Sequence, residues 1–129
     1  MIKGVGIDLV DKSRIGSALK KHGINFENKI LSKNESIELS QRKTFSKKIS
    51  YISNNFACKE ALSKVLGRGF SEGIRFKDIE ILRNDEGKPF VNLYGKALDE
   101  AKVLSINNIQ ISISDSRESS IAMAIGESL

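Results

Sequence analysis

The opening stretch Met1-Ile2-Lys3-Gly4-Val5-Gly6-Ile7-Asp8-Leu9-Val10 is rich in β-branched side chains and contains two glycines. It reads as a buried strand over Ile2–Val10, with the glycines permitting close approach of another backbone. Asp8 falls near the end of that strand. The period then changes: Ile15, Ala18 and Leu19 share one helical face, with Ser13 as the expected N-cap and Gly23 as the stop. A short helix is expected over Phe26–Leu31. Ser32 and Glu35 form a capping-box pattern that starts a third helix running to about Arg42.

The strongest helical signal covers Ser46–Leu66. Cys58, Ala61, Leu62, Val65 and Leu66 recur at intervals of three and one, and Ile49, Ile52 and Phe56 extend the apolar surface upstream. Gly67 and Gly69 are expected to end the helix. Beyond them the pattern predicts a strand over Ile74–Leu82, a turn at Asn84–Gly87 and a strand over Pro89–Leu93. A helix from Tyr94 to Val103 follows, then two closing strands, Ile109–Ser114 and Ser119–Ile125, around a turn at Asp115–Glu118. Early helices and late strands predict an α+β fold, a single domain over 1–129 with helices packed on an antiparallel sheet.

Composition narrows the function classes. A chain of 129 residues with 40% hydrophobic and 29% charged residues fits one ordinary globular domain. No apolar run reaches the roughly 18 residues that cross a bilayer. The opening is interrupted by glycine and then by a carboxylate, unlike a signal-peptide core. The chain therefore reads as cytoplasmic, with no membrane partner. The one cysteine, Cys58, excludes an intrachain disulfide and sits among apolar neighbours as a core thiol. The one histidine, His22, lies near a helix end, leaving Ser–His and His-rich metal chemistry without its parts. A formal charge of +5 favours acidic or phosphorylated partners. Without tryptophan or an RNA-binding sheet motif, nucleic acid is not expected among them.

Candidate chemistry centres on two places. Glu60 and Lys64 are four apart, so they share a helix face with Phe56 beside the apolar stripe. Spacing alone favours an exposed ion pair of about 0.3–0.5 kcal/mol. The alternative is a carboxylate for a metal and an ammonium for a phosphate, both aimed into a cleft. Asp8 reads either as a turn or cap residue or as a second carboxylate. Mg²⁺ is commonly held by one or two carboxylates, with water and substrate oxygens completing its shell. Gly67-Arg68-Gly69 reads as a helix C-cap and lacks the Gly-Lys-Ser/Thr ending of a Walker loop. Gly87-Lys88-Pro89 reads as a hairpin turn.

Four blocks, in order and in register, carry a resemblance. They are Gly4 to Val10 with Arg14-Ile15, Phe56 to Lys64 with Leu66 to Gly69, Asn84 to Pro89, and Ile111 to Ser114. Together they resemble the holo-[acyl-carrier-protein] synthase family of phosphopantetheinyl transferases. The resemblance implies transfer of 4′-phosphopantetheine from coenzyme A to a serine of an acidic apo acyl carrier protein, in support of fatty acid biosynthesis. It implies an α+β homotrimer with active sites between subunits. It gives Asp8 and Glu60 to Mg²⁺, Lys64 to the coenzyme A phosphates, Glu60 also to the serine proton, and Arg14 to carrier-protein docking. Gly67, Gly87, Pro89 and Ser112 would border the cofactor. Three departures stand out: Asn25, Asn55 and Asp115 occupy positions where the family usually has Arg, Arg and His. The changes at 55 and 115 are expected to weaken coenzyme A binding, with Lys59, Arg68, Lys88 or Arg117 compensating.

Overall fold

A computed structural model describes residues 1–67, 70 and 73–129. Strand β1 spans Ile2–Asp11. Helices α1 (Lys12–His22), α2 (Ile24–Ile30), α3 (Lys33–Ser40) and the long α4 (Phe45–Leu66) follow. A 3₁₀ turn at Phe76–Asp78 leads into β2 (Ile79–Arg83) and β3 (Pro89–Leu93). Helix α5 (Gly95–Val103), β4 (Asn108–Asp115) and β5 (Ser119–Glu127) close the described chain. The expected α+β arrangement is found as two antiparallel sheets, one ordered β1-β5-β4 and the other the β2-β3 hairpin.

Helix α4 is the centre of the molecule. Ile52, Ala57, Cys58, Ala61 and Leu62 are wholly buried, and Val65 and Leu66 nearly so. One face of the three-stranded sheet packs on it, and that face is built from small residues. Gly6, Ala122, Ala124 and Gly126 are buried there. A Cβ placed on Gly6 would stand 1.9 Å from the Ala61 carbonyl oxygen, so β1 lies against the helix backbone itself. The opposite face is different. Val5, Ile7, Leu9, Ile121 and Met123 are 58%, 54%, 67%, 39% and 41% exposed, and Ile7 pairs with Met123 and Leu9 with Ile121 across β1 and β5. They gather into an apolar surface that none of the described residues covers.

A buried polar hub ties the helices to the hairpin. The capping box at Ser32 and Glu35 forms as expected. Glu35 is fully buried, and besides the Ser32 amide it accepts from Asn55 Nδ2 at 2.8 Å, Lys59 Nζ at 2.7 Å and the Ile81 amide at 3.3 Å. Lys59, equally buried, donates further to the carbonyls of Phe76 at 2.9 Å and Ile79 at 2.5 Å. Burial lowers the pKa of the Lys59 ammonium, and the Glu35 carboxylate opposes that shift.

Two boundaries differ from expectation for clear physical reasons, and the end of α4 falls where expected. Asp11, not Ser13, caps α1, because its carboxylate accepts from the Ser13 amide at 3.0 Å. The strand expected from Ile74 begins only at Ile79. Before it, Asp78 folds back on Arg75 and holds the chain in the 3₁₀ turn. Gly67, at φ 77°, is the C-cap of α4, whereas Gly69 lies outside the described residues.

Candidate active site

Strand parity and the glycine contact bring the two carboxylates together. Asp8 is two residues beyond Gly6, hence on the same sheet face, turned toward α4. Glu60 precedes Ala61, the residue that Gly6 touches. Both line a cavity of about 330 Å³ whose walls include Arg14 and Ile15 from α1, Phe26 from α2 and Phe56 from α4. The helical face shared by Phe56 and Glu60 is therefore the cleft face, and one chain supplies both acids.

Lys64 completes the cluster, though not as its spacing suggested. Among the described residues its ion pair is with Asp8, Nζ to Oδ1 at 3.3 Å, and the same ammonium donates to the Ile7 carbonyl at 2.7 Å. The pKa of Glu60 is raised, first by burial and then by the neighbouring Asp8 charge, while Lys64 pulls it down. The cleft thus holds two carboxylates that repel one another, with one ammonium paired to Asp8 beside them. Hard oxygen donors in such a pair fit a magnesium ion. Among the described residues no third acid, histidine or cysteine joins them, so water and substrate oxygens are left to fill the other positions.

The remaining candidates are scattered. Arg14 stands exposed on the α1 wall of the cavity, with Lys20, Lys21 and His22 in the last turn of that helix. Gly67 lies at the C-terminus of α4, three residues beyond Lys64. Gly87 and Pro89 belong to the β2–β3 hairpin, where the Asn84 carboxamide accepts from the amides of Glu86 and Lys88. Ser112 is exposed in the middle of β4, paired with Met123 of β5. None of these four lines the cavity.

The departures at 55 and 115 take on another meaning. Asn55 is fully buried and points into the hub, donating to Glu35 and the Ile81 carbonyl and accepting from Arg83 Nη2 at 2.8 Å. It faces away from the cleft, as does Lys59, so neither the proposed gap nor the proposed compensation lies there. Asp115 is held by Lys12 at 2.7 Å, and that ammonium also reaches the Ser50 hydroxyl and the Ser116 carbonyl. Its charge is already neutralised within the chain. Asn25 is exposed on α2, and Arg68 lies outside the described residues. Lys12 was missed in the sequence, where nothing in the spacing links positions 12 and 115.

Residues 4–124 match the sequence profile of the 4′-phosphopantetheinyl transferase superfamily. The holo-[acyl-carrier-protein] synthase of Maridesulfovibrio salexigens is 43% identical over 127 residues, covering 98% of this chain and 99% of the relative. The chain belongs to the holo-[acyl-carrier-protein] synthase family. Solved structures of that family superpose closely. The holo-ACP synthase of Plasmodium yoelii gives a TM-score of 0.86 at 38% identity, covering 98% of this chain and 94% of that one. The Bacillus anthracis synthase, in complex with CoA (3′,5′-ADP), gives 0.83 at 32% identity, covering 100% and 99%.

Proposed function

We propose that this transferase moves the 4′-phosphopantetheine arm of coenzyme A to a serine of an apo acyl carrier protein, with Mg²⁺ held by Asp8 and Glu60. The observation that carries the reading is the placement of Asp8 and Glu60 on one cavity, with Lys64 ion-paired to Asp8 beside it. The serine oxygen attacks the β-phosphorus, the bond to the bridging oxygen breaks, and adenosine 3′,5′-bisphosphate leaves. A magnesium ion bound there supplies positive charge to the pyrophosphate oxygens and keeps them in line. Asp8 and Glu60 hold that charge in place, and Lys64 brings a further ammonium to the same oxygens. Glu60, acting through a water molecule, is the base that takes up the serine proton. Arg14, exposed on the cavity wall, meets the acidic carrier protein. The product, holo carrier protein, serves fatty acid biosynthesis.

The apolar outer face of the sheet supports a homotrimer, since burying Val5, Ile7, Leu9, Ile121 and Met123 against other copies removes an extended apolar surface from water. Ser112 stands among them, so a neighbouring copy would enclose it; Gly67, Gly87 and Pro89 are assigned with it to the nucleotide end of coenzyme A. The test is chromatographic detection of adenosine 3′,5′-bisphosphate. Its release is expected only when apo carrier protein, coenzyme A and Mg²⁺ are all present. Release that persists after chelation of Mg²⁺ would contradict the metal reading.

A further inference from the structure

A cation of the chain's own stands at the edge of the cleft. The Lys64 ammonium is not extended into solvent, although about half of its side chain is exposed. It is drawn down onto β1, donating to the Ile7 carbonyl at 2.7 Å and pairing with Asp8 at 3.3 Å. Its stem starts beside Gly6, where an added Cβ would come within 3.2 Å of the Lys64 Cβ, so β1 lies close under the root of this side chain. Asp8 is the more sheltered partner, 20% exposed against 53% for the lysine. The ammonium pairs with Asp8, and its charge opposes that of Glu60 one helical turn away.

We infer that Lys64 is the resident counter-ion of the Asp8–Glu60 cleft, and that it yields Asp8 to the divalent cation and passes to the phosphates of the incoming cofactor. The inference rests on the reading of Asp8 and Glu60 as the metal site. In the free enzyme Lys64 offsets one of the two negative charges and lessens the repulsion between the acids. It therefore also competes with the metal for Asp8. Once coenzyme A supplies phosphate oxygens, the displaced ammonium has a new partner, so the exchange costs less with both ligands than with the metal alone.

The test uses the free enzyme and no turnover. Mn²⁺ binding is followed by electron paramagnetic resonance for the wild type, Lys64→Met, Lys64→Gln and Asp8→Asn, with circular dichroism confirming the fold. Both lysine variants are expected to bind Mn²⁺ roughly fivefold more tightly than the wild type, the size of one partly exposed ion pair no longer to be broken. In the wild type, Mg²⁺ is expected to shift the ¹⁵N and ¹H resonances of the Lys64 ammonium as the site fills. Equal or weaker Mn²⁺ binding in the lysine variants, or Lys64 resonances that stay in place while Mg²⁺ saturates the site, would overturn the counter-ion role. Asp8→Asn separates the two readings. If it abolishes Mn²⁺ binding, the metal site stands whatever the lysine variants show; if it leaves binding intact, the metal site itself fails and the counter-ion role with it.

Discussion

Gly6→Ala is the smallest change that tests how the fold makes the site. The new methyl carbon would begin 1.9 Å from the Ala61 carbonyl oxygen, 2.9 Å from its carbon and 3.2 Å from the Lys64 Cβ. The first two contacts are backbone, buried in the C-terminal third of α4, so no side chain can turn aside. Restoring a tolerable separation pushes β1 from the helix by roughly 1 Å in an interior packed like a crystal. Overpacking of this kind costs about 1–3 kcal/mol. The same displacement carries Asp8 away from Glu60, and a misplacement near 1 Å in a catalytic cluster lowers the rate about 100-fold. Thermal melts and carrier-protein modification rates measure the two effects separately. Gly4→Ala is the graded comparison, because its nearest backbone atom, the Val65 oxygen, is 3.0 Å away; it should lose less of both. A Gly6→Ala protein with wild-type stability and rate would refute the argument that this contact sets the distance between the acids.

Lys59→Met leaves the buried Glu35 carboxylate without its cation and should cost about 3–5 kcal/mol in urea unfolding, with the hub's other donors keeping the loss near the lower figure; a loss below about 1 kcal/mol would mean the pair is dispensable. Glu60 gives a pH-dependent effect. Because burial and Asp8 raise its folded pKa, its stabilising contribution is complete below the ordinary glutamate range and is lost as pH rises through the raised value. Glu60→Gln escapes that loss, so the metal-free variant should melt a few degrees higher than wild type at pH 8 and the difference should close toward pH 4; a lower melting point at pH 8 would contradict the repulsion between the acids. Leu9→Glu places a charge in the exposed apolar face and should convert a species of three 14.3 kDa chains into monomers on sedimentation; an unchanged mass would move the interface elsewhere.

Much of the fold was legible because its signals are local. The capping box at Ser32 and Glu35, the apolar stripe of α4 and the Asn84–Pro89 hairpin each follow from neighbours in sequence. The start of β2 was misread because Ile74 is apolar and buried like a strand residue, while the Arg75–Asp78 capping that bends the chain there outweighs β-propensity. For the site, helical spacing placed Glu60, Lys64 and Phe56 on one face but could not say what lay opposite. That depended on Gly6, a contact across 55 positions of chain. The partner choice of Lys64 was hidden for the same reason: the spacing offered Glu60, and the fold supplied Asp8 and a carbonyl on another element. Asn55 and Lys59 were placed at the phosphates because they flank the motif residues in sequence. Each precedes a cleft residue by one position, and one helical step, about 100°, turns it to Glu35 and β2 instead.

The most direct measurement is the intact mass of a purified apo acyl carrier protein after incubation with this enzyme, coenzyme A and Mg²⁺. The expected result is a gain of one phosphopantetheine group that disappears on chelation and in Asp8→Ala. An unmodified carrier protein at high cofactor concentration, beside a working control synthase, would contradict the activity; full modification by Asp8→Ala would contradict the site.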